Sequence, residues 1–144
     1  FGSEDFARFH PGGTLGKKLY LHVSDLYMNN EKPQVIDQAS LKEAIVEISK
    51  KRLGVTAVVN NKNELLGIIT DGDLRRMLEK NNSLEGVKAS DIMTARPHII
   101  SADALAVEAL DLMRTNDITQ LVVTEGKAYL GIIHLHDLVR EGLL

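Results

Sequence analysis

The octet Gly67-Ile68-Ile69-Thr70-Asp71-Gly72-Asp73-Leu74 returns 64 positions later as Gly131-Ile132-Ile133-His134-Leu135-His136-Asp137-Leu138. In each copy an apolar, strand-like run ends in a polar turn that opens a helix. Two copies predict two similar units related by pseudo-symmetry, each with a site at the strand-to-helix turn. The apolar parts of the copies agree and the polar parts differ. That difference bears on what each site can hold.

The flanking sequence repeats as well. Leu41, Ala44, Ile45 and Ile48 recur at helical spacing and predict an amphipathic helix over Leu41–Arg52. Ala106, Ala109, Leu110 and Met113 give the second stripe, 65 rather than 64 positions on, so the alignment slips by one before regaining register. Val55–Val59 and Leu65–Ile69 read as strands around the turn residues Asn60–Asn63, and Asp71–Lys80 as a helix. In the second unit Thr119–Val123 and Tyr129–Ile133 read as strands around Glu125-Gly126, and Leu135–Glu141 as a helix. Each unit opens on a short helix start, Ser24-Asp25-Leu26 or Ser90-Asp91-Ile92, with Ser24 expected as a cap. Pro33 and Pro97 then turn the chain, and Gln34–Asp37 is a short extended lead-in. The expected organisation is a joint at 1–22, units at 23–81 and 89–144, and a linker at 82–88. A unit of this size is marginal alone, so two should share a core.

Bulk properties narrow the functional classes. The net charge of −3 gives no basic footprint for nucleic acid, and 4% aromatic residues offer few stacking platforms. Zero cysteines exclude disulfides and thiolate metal sites, which suits a cytoplasmic protein. No apolar run approaches a membrane-spanning length, and no signal peptide stands out. The chain opens on Phe1, so an excerpt of a longer polypeptide is expected.

Each half resembles a CBS motif, the module named for cystathionine β-synthase. The residues that carry the resemblance are Pro33/Pro97, Glu43-Ala44-Ile45 and Glu108-Ala109-Leu110, Val58-Val59 and Val122-Val123, and the Gly-apolar-apolar-Thr-x-x-Asp signature at Gly67–Asp73. The resemblance covers about residues 23–144. It implies an α+β CBS-pair fold of two helix–strand–strand–helix units around a pseudo-two-fold, with clefts between them. Such pairs commonly dimerise into a flat disc, so a homodimer or tetramer is expected. The segment Glu4–Leu19, with Phe9-His10-Pro11-Gly12-Gly13-Thr14-Leu15-Gly16-Lys17-Lys18, is similar to the joint between domains in arabinose-5-phosphate isomerases. Those enzymes join a sugar-isomerase (SIS) domain to a CBS pair. They interconvert ribulose and arabinose 5-phosphates on the route to the lipopolysaccharide sugar Kdo (3-deoxy-D-manno-octulosonate).

Thr70 and Asp73 form a near capping box, in which Thr70 caps the helix and Asp73 complements its N-terminus. The resemblance adds a ligand role. In CBS motifs that bind nucleotides this Asp accepts from ribose hydroxyls, and the Thr contacts ribose or phosphate. Asp71 and Asp73 would repel a phosphate set directly on them. In the second copy His134 and His136 replace Thr70 and Gly72, while Asp137 remains. One reading is a tolerant helix start. The other is a cleft whose imidazoles, when protonated, attract an anionic group. The set is too small for a closed metal site. Thr56, Thr119 and Gln120 sit at strand starts expected to line the clefts, as do Val55 and Ala57. For the aliphatic members core packing is the stronger reading.

The resemblance makes His10 a catalytic candidate in an intact isomerase, where proton transfer suits imidazole. Without a partner acid it should be inert here. Gly12–Lys17 misses the phosphate-loop pattern by one residue. Lys17-Lys18 and Arg75-Arg76 read as solvated faces. The excerpt alone does not read as an enzyme, and no cofactor is expected. The expectation is a regulatory module that senses a sugar nucleotide such as CMP-Kdo and acts on its own SIS domain. An adenine-nucleotide sensor for AMP or ATP and a non-binding oligomerisation module are the alternatives.

Overall fold

A computed structural model describes residues 19–80, 83 and 85–143. His10 and the helical piece expected near Glu4–Arg8 lie outside the described residues. The first unit runs α1 (Val23–Tyr27), β1 (Gln34–Ile36), α2 (Leu41–Lys51), β2 (Val55–Val59), β3 (Leu65–Thr70) and α3 (Asp71–Lys80). The second runs α4 (Ala89–Ile92), β4 (Thr94–Ala95), β5 (Ile99–Ser101), α5 (Ala106–Asn116), β6 (Gln120–Glu125), β7 (Ala128–His134) and α6 (Leu135–Arg140).

The long helices form where apolar spacing and end signals agree. Ser40 Oγ accepts from the Glu43 N–H at 3.2 Å, and Leu41, Ala44 and Ile48 are buried. The helix stops at Arg52, which is left-handed with φ 62°. Its counterpart α5 buries Ala106, Ala109, Leu110 and Met113 and stops at Asp117, φ 53°. At the start of α1 the expected Ser24 cap is not formed. The cap position is His22, whose N–H donates to Asp25 Oδ2 at 2.8 Å, while the Ser24 N–H donates to the Ala102 carbonyl at 3.0 Å.

Two sheets form, ordered β1-β2-β3-β4 and β5-β6-β7. In each, the lead-in strand is parallel to the next strand, which pairs antiparallel with the third. Val55, Ala57 and Val59 of one sheet pack with Val122, Tyr129 and Ile132 of the other in a central core. Val58 and Ile69 face the opposite way, into a cluster with Ala44 and Ile48 of α2. The molecule is thus layered helix, sheet, sheet, helix, and β2 is buried along its whole length. Tyr129, fully buried, donates its hydroxyl to the Pro33 carbonyl at 2.6 Å across the units. Burial, with the charge of Glu47 second, raises the Tyr129 pKa well above its ordinary value.

Register corrects the sequence alignment. Val55 pairs with Thr70 and Gln120 with His134, so β2 and β6 correspond at an offset of 65. The counterpart of Val58 is therefore Val123, not Val122. Likewise the Ala57 N–H reaches the Pro33 carbonyl as the Val122 N–H reaches that of His98, so His98, not Pro97, stands opposite Pro33. The offset returns to 64 in the hairpin turn, which is one residue shorter in the second unit.

The units also exchange their leading segments. Helix α1 packs on the second unit, with Val23 and Leu26 in the cluster of α5 and β7. Helix α4 packs on the first, with Ala89 in the cluster of α2, and β4 adds to the edge of β3. The repeated glycines sit under these contacts. A Cβ on Gly67 would lie 2.6 Å from the Thr94 carbonyl oxygen, and one on Gly131 2.7 Å from the Tyr27 ring. Gly67→Ala must displace backbone and is expected to cost about 1–3 kcal/mol. Gly72→Ala, whose Cβ would meet the Arg76 guanidinium at 3.4 Å and the Thr70 hydroxyl at 3.6 Å, both ordinary contacts, should leave the melting temperature unchanged or higher. Thermal unfolding of the two variants checks both outcomes.

Candidate functional site

The signature aspartates are built alike. Asp73, 8% exposed, accepts from the Thr70 N–H at 2.9 Å and from the Thr70 hydroxyl at 3.1 Å. The Thr70 hydroxyl in turn accepts from the Asp73 N–H at 3.1 Å, which closes a capping box. Arg76 donates to the other carboxylate oxygen at 2.5 Å, and Thr94 of the opposite unit donates at 3.1 Å. Asp137, 3% exposed, accepts from the His134 N–H at 2.8 Å and from Asn30 of the opposite unit at 2.7 Å. Arg140 stands 3.7 Å away. Asn30 and Thr94 are themselves 64 positions apart, as are Arg76 and Arg140. Each carboxylate is therefore held by its own helix start, by an arginine one turn on, and by the other unit's lead-in.

His134 takes the Thr70 role with different atoms. Its Nδ1 accepts from the His136 N–H at 3.0 Å, and the two rings lie 4.2 Å apart. Burial lowers the His134 pKa from its ordinary value, the charge of His136 lowers it further, and Asp137 opposes both. His134 is thus a neutral cap acceptor with Nε2–H left as a donor. The lowered pKa works against the protonated form in which His134 was expected to attract an anion.

A cleft of about 210 Å³ opens between the units. Its apolar lining is Val55, Ile68, Ile118 and Val122, and its polar lining is Thr70, His98, Asp117, Thr119 and Gln120. The Thr119 hydroxyl donates to Gln120 Oε1. Of the residues expected at a site, Thr70, Thr119, Gln120 and Val55 meet here. Thr56 does not. It is fully buried on the helix side of β2, opposite Ile69, with its hydroxyl on the Ala57 carbonyl at 3.2 Å. The residue pairing of a strand puts Thr56 and Val55 on opposite faces. Ala57 is core in the same way as Val55 but lies deeper, away from the cleft lining. Asp71 is exposed at the first turn of α3. Asp73 lies instead beside a separate groove with Arg76, Met77, Lys80, Asp91 and Ile92. His134, His136 and Asp137 stay together at the start of α6.

His98 and Asp117 were not singled out by the sequence pattern. The signal was present in the one-residue slip. At the correct offset His98, Asp117, Thr119 and Gln120 stand opposite Pro33, Arg52, Gly54 and Val55. At three of the four positions the first unit completes the same fold with Pro33, Gly54 and Val55, and at the fourth the charge is reversed. Folding therefore does not require polar side chains at the positions of His98, Thr119 and Gln120.

Comparison with known proteins follows the same outline. The family model of the CBS domain matches residues 23–80 and 89–143. An arabinose 5-phosphate isomerase, KdsD, from Yersinia pestis is 43% identical over the whole chain, which spans 44% of that protein's length. A CBS domain protein of Pyrobaculum aerophilum complexed with AMP superposes with a TM-score of 0.72 at 20% identity, covering 82% of this chain and 90% of the other. A CBS-domain containing protein of Agrobacterium tumefaciens gives a TM-score of 0.74 at 20% identity, with 86% and 95% covered.

Two outcomes test the geometry. Asn30→Ala and Asp137→Ala should couple by about 1–3 kcal/mol in a double-mutant cycle of chemical denaturation. Additive effects would place the Asn30 contact outside the energetics of the fold. The second outcome concerns pH. The unfolded chain protonates His134 near its ordinary pKa of about 6.5, while the folded chain resists protonation. Stability is therefore complete above that value and is lost as pH falls through it towards the lowered folded pKa. His134→Asn, which keeps a cap acceptor and removes the titration, should flatten the slope of stability between pH about 7.5 and about 5.5.

Proposed function

The chain belongs to the CBS domain family, and from that premise we propose that it is the regulatory pair of a D-arabinose-5-phosphate isomerase of Kdo and lipopolysaccharide biosynthesis. The observation that carries this reading is the whole-chain identity to arabinose 5-phosphate isomerases, joined to a polar cleft at the unit boundary. The partner is the SIS domain upstream, in the cytoplasm. The assembly is a homodimer or tetramer through the CBS modules, and neither nucleic acid nor membrane takes part. Among the described residues no helix is long and apolar enough to cross a membrane.

The ligand is a nucleotide or sugar nucleotide, with the end product CMP-Kdo as the effector. Thr70, Thr119 and Gln120 are the contacts. Asp71, exposed in the first turn of α3, is a further contact, and Asp73, His134, His136 and Asp137 act through the helix starts they hold. His10 serves the intact isomerase. Regulation requires that the effector bind two states of the enzyme unequally. A second reading, an adenine-nucleotide sensor, is favoured by the AMP complex of the Pyrobaculum relative.

Thermal shifts of this chain separate the readings. A ligand at a hundred times its dissociation constant should stabilise by about 2.7 kcal/mol. A shift with CMP-Kdo and none with AMP or ATP supports the end-product sensor, and the reverse supports the adenine sensor. No shift with any of them removes ligand sensing and leaves an oligomerisation module. Gln120→Ala should weaken whichever ligand binds by at least about fivefold, the loss of one good hydrogen bond.

A further inference from the structure

The two hairpins carry an unequal pair of residues beside their tips. Past the bulge in each hairpin, Tyr129 pairs with Thr124 as Leu65 pairs with Val59, so Leu65 is the counterpart of Tyr129. The Tyr129 ring fills its half of the space between the sheets. Its hydroxyl reaches the Pro33 carbonyl at 2.6 Å, and the Lys32 ammonium stands 5.3 Å from the ring centre. In the other half the second lead-in supplies a cation again, Arg96, 64 positions after Lys32, but Leu65 brings no ring. A hollow of about 370 Å³ remains there, and Leu65, Arg96, Pro97, Ile99, Thr124 and Lys127 line it. The Leu65 N–H donates to the Lys127 carbonyl at 2.9 Å, so the hollow lies where the tips of the two units meet. It is at the opposite strand ends from the cleft and shares no residue with it.

Thr124 is 5% exposed, and its hydroxyl has no hydrogen-bond partner among the described residues. No fully enclosed side-chain oxygen among them lacks a partner, so this hydroxyl opens onto the hollow that Thr124 lines. Val59 holds the same position in the first unit, so the fold does not need a hydroxyl there. The Arg96 and Lys127 side chains are exposed and have neither ion pair nor hydrogen bond among the described residues. No acidic side chain among them lines the hollow. We infer that this hollow binds a small aromatic anion, a planar ring bearing a carboxylate or a phosphate, whose ring takes the place that Tyr129 fills in the other half. The ring lies against Leu65, Pro97 and Ile99, the last of these 50% exposed. A guanidinium can cover a ring face as the Lys32 ammonium does at Tyr129, or grip an acid with two N–H groups. Lys127 adds charge, and Thr124 supplies a hydroxyl proton that nothing else takes. The inference stands apart from the nucleotide reading above.

Calorimetry on this chain with benzoate, phenyl phosphate, benzamide, acetate and inorganic phosphate tests the site. At least one of the two ring anions should bind about tenfold or more tightly than benzamide and than its own ringless counterpart. The tighter of the two assigns the acid as carboxylate or phosphate, and either result supports the site. Leu65→Tyr sets in the hollow the ring that Tyr129 supplies opposite, and it should abolish binding. Arg96→Gln and Thr124→Val should each weaken binding by about fivefold or more. Thr124→Val copies Val59 and should keep the melting temperature, so it carries the test if Leu65→Tyr fails to fold. Failure of both ring anions to bind overturns the inference. So does acetate or inorganic phosphate matching them, which is attraction to surface charge alone. Full affinity in folded Arg96→Gln and Thr124→Val overturns it as well. The cleft shares no residue with this hollow, so each of these outcomes leaves the nucleotide reading as it stands.

Discussion

The grip of each signature aspartate on the other unit's lead-in is the interaction on which the rest of this molecule depends. Asn30 reaches Asp137 at 2.7 Å and Thr94 reaches Asp73 at 3.1 Å. The carboxylates are nearly buried, so each needs its partners, and a missing donor would leave an uncompensated charge. The glycine of each octet serves the same contact from the strand side, because any side chain there would strike Thr94 or Tyr27. Without the exchange, α1 and α4 lose the surfaces that bury Val23, Leu26 and Ala89. Helices of five and four residues do not stand on their own. The pair is therefore one cooperative body rather than two modules in series.

That exchange also determines where the cleft lies. With the leading segments crossed and the hairpin tips joined by the Leu65–Lys127 and Tyr129–Asn63 backbone bonds, the two sheets face each other. Their inner faces fill with Val55, Ala57, Val59, Val122, Tyr129 and Ile132. The opening is left at the opposite strand ends, where Val55 and Thr70 of one unit meet Thr119 and Gln120 of the other. This cleft is a composite, drawn from both units rather than from one octet.

Much of this was legible in the chain. Val55–Val59 and Asp71–Lys80 have the observed limits, because β-branched density and an acid-rich first turn mark them locally. The ends of β6 and β7 extend beyond the apolar runs, since pairing continues through Thr124-Glu125 and His134 after hydrophobicity stops. The exchange was not legible. It is a long-range choice between two equivalent docking surfaces, and neither Ser24 nor Ser90 carries a local mark of the unit it packs on. Thr56 shows a related limit. Its hydroxyl suggested a ligand contact, but strand alternation turns it into the core, and finding that face required the true register.

Symmetry of fold and asymmetry of chemistry then have a common origin. Positions that hold the units together are repeated: glycine at 67 and 131, aspartate at 73 and 137, arginine at 76 and 140. Positions that line the cleft lie outside those contacts, so they can diverge without loss of the fold, as Pro33 and His98 or Arg52 and Asp117 have done. Thr70 belongs to both sets, and His134 is its counterpart at the second turn. The helix start requires an acceptor there, and the two residues meet that requirement with different atoms. Thr70 Oγ1 accepts from the Asp73 N–H at 3.1 Å, and His134 Nδ1 accepts from the His136 N–H at 3.0 Å. Histidine thus replaces threonine without breaking the cap, while exchanging a remaining acceptor for a remaining N–H donor. The constraint that fixes the backbone at this turn is a hydrogen bond rather than a residue type, and that latitude is what lets two similar turns present opposite chemistry.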